Sequence, residues 1–415
     1  MVVEVDKEEL LWQIQHKKII LLGTGEKGRR FYGKYKEMVD IRYASSNLDN
    51  ETIGNLERIE WKSIIGCSEY FIVVCSAAEN KIAYEFMLYG LQYGKDFVNQ
   101  SLAEALLDKK EIVLLVGQCE LEFVDCIFKT NPKFMQKYAG FCYREYDVLG
   151  INDQYPKLEI SLMVNVVIGC ADYFIYPVNL SKERLDYYGM LLGKIELHCK
   201  TVGVPLTTFE AYWPQDSEEY YRMSIFYKKD AGGKYPFGGR RDLNLESSVE
   251  NGTVQEMVGK VLQEDFYPED AVWKLFRKTI RKYRILEKKA DITISDFLEE
   301  NYRKRRVFLD RGHVCDFVLK EYAKRIAEFL GLDLDLRFLE EVDLEWYNQC
   351  QSEQPIYPSV QKCLEFTENT EYRFWVNGKL CRATMKGYME SLCNYMSGIK
   401  KLDEKCFGDR NVGVE

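Results

Sequence analysis

Two short apolar runs limit what this chain can fold into. Each is closed by a glycine and followed by an amphipathic stretch. The first lies in "KKIILLGTGEKGRRFYGKYK", Lys17 to Lys36, and the second in "EIVLLVGQCELEFVDCIFKTNP", Glu111 to Pro132. Ile19 to Leu22 and Ile112 to Val116 are too short for buried helices. They are apolar on successive positions, as a strand covered on both faces must be. "DIRYA", "YFIVVCSA", "DYFIYPV" and "GVPLTTFEAYWPQ" read as further short strands. Helical patterns lie between several of them, including "ENKIAYEFMLYGLQYG", which the pattern ends at Gly94. Alternation of this kind predicts an α/β fold with parallel sheets.

The chain has 415 residues, more than one ordinary core encloses, so two domains are expected. The alternation restarts at Glu111, which places the boundary near residue 106: a small domain over 1–106 and a larger one over 107–415. From Pro268 the pattern turns helical. Val272, Leu275, Phe276, Thr279, Tyr283 and Leu286 share one face. "HVCDFVLKEYAKRIAEFLG" predicts a second amphipathic helix, with Phe317, Val318, Tyr322, Ile326 and Phe329 inward and Gly331 as its stop. A last helix is expected near Gly387 to Met396.

Composition excludes some functions. A net charge of -9 argues against coating nucleic acid, which wants a basic face. The 13 cysteines include no C-x-x-C pair, so neither a zinc ribbon nor a thioredoxin-type site is expected, and no metal site is predicted. The N-terminal "MVVEVDKEELLWQIQ" lacks a secretory pattern, and no run reaches the roughly 18 apolar residues of a membrane span. Free thiols in a reducing cytoplasm are the expectation. The sequence leaves the oligomeric state open.

Gly23, Gly25 and Gly28 form G-x-G-x-x-G between a strand and a helix, where backbone N–H groups can meet a phosphate. The dinucleotide version also wants an acid at the end of the second strand. Here Ser45, Ser46 and Asn47 come first, and Asp49 is the earliest acid. NAD is therefore not expected. A nucleotide or nucleotide-sugar ligand and a purely structural glycine turn both remain open. The first hundred residues resemble the small Rossmann-like modules attached to enzymes of sugar and surface-polysaccharide metabolism. That resemblance implies a nucleotide-sugar or related ligand and does not imply hydride transfer.

Cys119 stands two residues after the glycine that ends the second run. A strand end that opens a helix exposes a nucleophile, and the helix N-terminus can favour a thiolate and an oxyanion. Free cysteine is also among the most buried residue types, so a core filler is the competing reading. A base for the thiol must come from His16, His198 or His313, the only three histidines. His313 follows a short apolar run, precedes a helix, and has Asp310 three residues upstream. D-x-x-H late in the chain, paired with an early strand-end nucleophile, is the arrangement of SGNH hydrolases, where the Asp orients the imidazole.

"VLLVGQCELEFV", "CADYFIYPV", "VPLTTFEAYWPQ", "ADITISDFLEENYRKRRVFLDRGHV" and "QPIYPSVQKCLEF" follow one another in an order that resembles the WcbI-type acetyltransferases of capsular polysaccharide biosynthesis. The resemblance spans about Glu111 to Met396. It implies an SGNH-like α/β domain with a helical C-terminal part that binds coenzyme A or acetyl-coenzyme A. The implied reaction moves an acyl group, with acetyl the expected one, to a sugar hydroxyl. Cys119 would be the nucleophile, His313 the base and Asp310 its orienter. Gly117, Gln118 and Glu120 would line the donor site. Two positions depart from the family pattern. Its Asn-Cys-Gln reads Gln118-Cys119-Glu120, and its His-Pro reads His313-Val314. A thioesterase or carbohydrate esterase on the same scaffold, and a non-catalytic nucleotide-sugar-binding module, are the alternatives.

Lys274 to Arg306 holds twelve Lys and Arg against five Asp and Glu. Arg303 and Arg305 in "NYRKRRVF" suit a phosphate clamp, a solvated helix face, or peripheral contact with anionic lipid. The glycine-rich "GGKYPFGGRR" reads as a loop or lid. Its Tyr235, Phe237, Arg240 and Arg241 are suited to stacking on a base or sugar.

Overall fold

The computed structural model describes the chain except residues 1–4, 46–52, 146–156, 179–180, 196, 207, 217–229, 231, 240–241, 246–253, 345–351, 367–370 and 409–415. The expectations for Ser46, Asn47, Asp49, Arg240 and Arg241 lie outside the described residues. The fold is α/β, as the alternation predicts. The chain divides into two compact units, residues 1–204 with 323–339 and residues 205–322 with 340–415.

The first unit holds two parallel sheets. In the first, β1 (Lys18–Leu22), β2 (Ile41–Ser45), β3 (Glu57–Arg58), β4 (Tyr70–Val74) and β5 (Phe97–Asn99) run in the order β3-β2-β1-β4-β5. The order reverses between β1 and β4. The glycine loop leaves β1 at this point and enters the helix Glu26–Tyr35. The helix predicted to end at Gly94 ends earlier, at Leu88, and Gly90 takes a left-handed φ of 83° just beyond it. The expected boundary at 106/107 falls at the end of the helix Gln100–Leu107, between the last strand of one sheet and the first of the next.

The second sheet comprises β6 (Glu111–Gly117), β7 (Tyr138–Arg144), β8 (Tyr173–Pro177) and β9 (Lys200–Val204), all parallel, in the order β7-β6-β8-β9. Ile112 to Val116 of β6 are fully buried. Each such side chain stabilises by about 1.5–3 kcal/mol relative to exposure. The chain leaves β6 toward β7 on one side and returns with β8 on the other. Ligands of open α/β sheets bind beyond the carboxyl ends of the strands at such a reversal.

In the second unit the helix Glu269–Glu287 buries Val272, Phe276, Thr279, Ile280, Tyr283 and Leu286, close to the predicted face. The hairpin β10 (Phe308–Asp310) and β11 (His313–Val314) is antiparallel. The helix Asp316–Leu330, which belongs to the first unit from Ala323 onward, buries Val318, Tyr322 and Ile326 as expected, and Gly331 follows it at a φ of 68°. Phe329, predicted inward, is 51% exposed, and Leu330 takes the buried position instead. Phe237 is also not a stacking platform. It is buried against Phe374, with ring centroids 4.8 Å apart, and meets Tyr388 edge-on. No described helix is long and apolar enough to cross a membrane.

Candidate active site

Gly117 ends β6, Gln118 is the N-cap of the helix Cys119–Thr130, and Cys119 is its first helical residue. A Cβ on Gly117 would stand 2.6 Å from Leu121 and 3.2 Å from Pro177 at the end of β8. The glycine therefore lets the helix turn sharply off the strand. Leu121 N–H donates to the Gln118 carbonyl at 3.1 Å, closing the first turn. The thiol is partly accessible, whereas Cys75, Cys170, Cys199, Cys315 and Cys393 are buried. Its Sγ donates toward Oε2 of Glu120 at 3.6 Å, and Glu120 is itself 5% exposed. A carboxylate at this distance repels a thiolate and favours the thiol form.

Glu145 was not expected from sequence. Register pairs Gly117 with Arg144, so Glu145 leaves β7 beside the place where Gln118 leaves β6. Its side chain is fully buried, and Arg184 Nε approaches Oε1 at 3.0 Å. Burial pushes its pKa up. Arg184, then Gln118 and Tyr188, pull it down.

In the second unit Asp310 is 2% exposed and closes the β10–β11 turn. Its Oδ1 accepts from the backbone N–H groups of Gly312 at 2.8 Å and His313 at 2.9 Å. The imidazole Nδ1 of His313 lies 2.8 Å from Oδ2. A carboxylate only accepts, so Nδ1 carries the proton and Nε2 is left as the basic nitrogen. The other two histidines are placed differently. His16 is exposed, stacks on Trp12 and approaches the Trp12 carbonyl at 3.0 Å. His198 meets Asp172 at 3.6 Å, and Asp172 also accepts the backbone N–H of Ile112. That holds His198 near the start of β6, roughly 16 Å along the strand from its thiol end.

The predicted phosphate-binding residues have partners within the second unit. Arg303 pairs with Glu365 at 2.7 Å, and Arg305 lies 3.4 Å over the ring of Phe317. Arg311 pairs with Glu210 at 2.9 Å, and Lys278 and Lys282 also approach that carboxylate. The glycine motif divides by role. A Cβ on Gly28 would sit 2.0 Å from the Gly23 carbonyl, and Gly23 itself has a φ of 114° against the Cys75 carbonyl. These two glycines serve the turn. Gly25, the N-cap of the helix Glu26–Tyr35, faces open space.

The ordered landmarks have a counterpart among known families. Residues 188–335 match the model of the polysaccharide biosynthesis enzyme WcbI. That window contains Asp310 and His313 and lies beyond Cys119. A solved structure of WcbI, described as a novel polysaccharide biosynthesis enzyme in native form without a disulfide between coenzyme A and one of its cysteines, is similar in fold. It aligns with 72% of this chain and 94% of its own length, at 15% identity and a TM-score of 0.53. No curated protein matches the chain. The WcbI likeness thus rests on a family match over the later part of the chain and a fold match over most of it.

Proposed function

We propose that the chain transfers an acyl group, with acetyl the expected one, from coenzyme A to a sugar hydroxyl in surface-polysaccharide biosynthesis. The WcbI match supports the pathway, and the coenzyme A named for the solved relative supports the donor. The observation that carries the chemistry is the Asp310–His313 pair, which leaves a histidine nitrogen basic. Cys119, at a helix N-terminus beyond a sheet's point of reversal, is the nucleophile.

In this reading His313 Nε2 takes the proton of Cys119, and the thiolate attacks the thioester carbonyl. The oxyanion is held by helix N-terminal N–H groups and the Gln118 amide. The carbon–sulfur bond to coenzyme A breaks, and the departing thiolate takes the proton back from His313. The sugar hydroxyl then gives its proton to His313 as its oxygen attacks the acyl-cysteine, and Cys119 leaves and is reprotonated. Gly117 and Glu120 shape the same turn. Arg303 and Arg305 are proposed to exchange their internal partners, Glu365 and the Phe317 ring, for the donor phosphates. The open approach to Gly25 favours a nucleotide or nucleotide-sugar at the first sheet. If water replaces the sugar, the same steps describe a thioesterase or esterase.

The contact between Cys119 and Glu120 favours a second reading, a nucleotide-sugar-binding module without thiol chemistry, because Glu120 discourages the thiolate. Acetyl-coenzyme A consumption by wild type and Cys119→Ala, with and without a sugar-acceptor panel, separates the readings. Loss of consumption in the variant supports the covalent route. Equal turnover by the two proteins contradicts it. Consumption by neither, together with binding of a nucleotide-sugar, favours the module.

A further inference from the structure

We infer that Glu145 is a positioning residue for the thiol turn, acting through the side chain of Gln118. The inference rests on the reading of Cys119 as nucleophile. Strands β6 and β7 pair in parallel through to Gly117 and Arg144, so the next residues, Gln118 and Glu145, leave adjacent strand ends. Glu145 is fully buried there and held by Arg184 at 3.0 Å. Gln118 and Tyr188 are near enough to lower its pKa, against the larger upward effect of burial. The one hydrogen of the Tyr188 hydroxyl goes to the Val116 carbonyl at 3.3 Å, which leaves Gln118 as the neighbouring side-chain donor. Among the described residues no hydrogen bond reaches either carboxylate oxygen, so the buried group retains its accepting capacity.

An ion pair whose carboxylate is fully buried while its arginine is partly exposed is weak as a stabilising device, because desolvation offsets much of the attraction. Its chemical use here is orientation. A carboxylate accepts and cannot donate, so it fixes which end of the Gln118 amide faces it. The nitrogen turns to Glu145 with one hydrogen, and the second hydrogen remains for the carbonyl oxygen of a bound thioester. Gln118 stands where the family pattern has the shorter asparagine, so its amide reaches one methylene further from the same backbone position.

The test is the single-turnover rate at which acetyl-coenzyme A acylates Cys119, followed by mass spectrometry of the Cys119 peptide. Glu145→Met and Glu145→Gln are measured in the wild-type and Gln118→Ala backgrounds. Removing an oxyanion donor costs on the order of a hundredfold in rate, so losing its orientation is expected to cost about tenfold. Glu145→Met lowers the maximal rate by that amount with the half-saturating concentration unchanged. Glu145→Gln, which keeps an acceptor, retains most of the rate. In the Gln118→Ala background Glu145→Met has no further effect. Equal losses in both backgrounds, or a change confined to half-saturation, overturn the inference. If Glu145→Met does not fold with Arg184 left uncompensated, Glu145→Met with Arg184→Met removes both charges and is read in the same way. Wild type that never acylates overturns the functional reading itself. Acylation by wild type with additive losses overturns the role of Glu145 alone.

Discussion

Asp310 holds His313 at two points, through the imidazole Nδ1 at 2.8 Å and through the backbone N–H at 2.9 Å. One buried carboxylate thus fixes both the turn and the ring. Asp310→Asn keeps the shape but presents a hydrogen-bond donor, which favours the wrong imidazole tautomer. A loss on the order of a thousandfold in maximal acylation rate is expected, with little change in half-saturation. Single-turnover kinetics with acetyl-coenzyme A measure both quantities.

Glu120 accepts from the Cys119 thiol at 3.6 Å. Replacing it by Gln removes a negative charge beside a nascent thiolate. Cys119 in Glu120→Gln should therefore react with iodoacetamide about three- to tenfold faster at pH 7. Peptide mapping by mass spectrometry isolates this cysteine from the others. An unchanged rate would show that Glu120 does not govern the thiol.

The glycines of the first sheet predict a contrast. A Cβ on Gly28 would press on backbone at 2.0 Å, which cannot yield without moving a strand end, whereas one on Gly25 meets open space. Gly28→Ala is expected to cost about 1–3 kcal/mol, and more if the loop cannot shift. Gly25→Ala should leave thermal unfolding unchanged and weaken binding of a nucleotide-sugar. Calorimetric melts and titrations of the two variants give both answers.

Asp125 on the helix Cys119–Thr130 is buried, and burial pushes its pKa above the usual carboxylate value despite Lys129 at 2.6 Å. The folded state therefore holds the proton more tightly than the unfolded one. Its contribution to stability is fully present below the unfolded value of 3.8 and is lost as pH rises through the folded value. Asp125→Asn should match wild type at low pH and exceed it at neutral pH. Melting temperature against pH for the two proteins checks the sign.

The parts of the fold that depend on local pattern were legible in the sequence. Ile19 to Leu22, Phe71 to Val74 and Ile112 to Val116 are buried on both faces and read as strands for that reason. The Asp310–His313 spacing was legible too, because three residues across a tight hairpin turn bring the side chains together. Strand β7 was not read. Its "YAGFCYR" mixes glycine with partly exposed positions, and pairing with β6 decides its conformation. Glu145 was missed with it, since only the register with Gly117 places that carboxylate near the thiol turn. Phe237 was misread for the opposite reason. A glycine-rich neighbourhood suggests a mobile loop, yet the ring is fixed by Phe374 and Tyr388, over a hundred residues away.

The central claim is that Cys119 carries the acyl group. Brief incubation with acetyl-coenzyme A, acid quench and mass spectrometry of the Cys119 peptide tests it most directly. The account predicts an acetylated Cys119 peptide in wild type, none in His313→Ala over the same interval, and loss of thioester consumption in Cys119→Ala. An unmodified peptide in wild type, with consumption undiminished in Cys119→Ala, would contradict it.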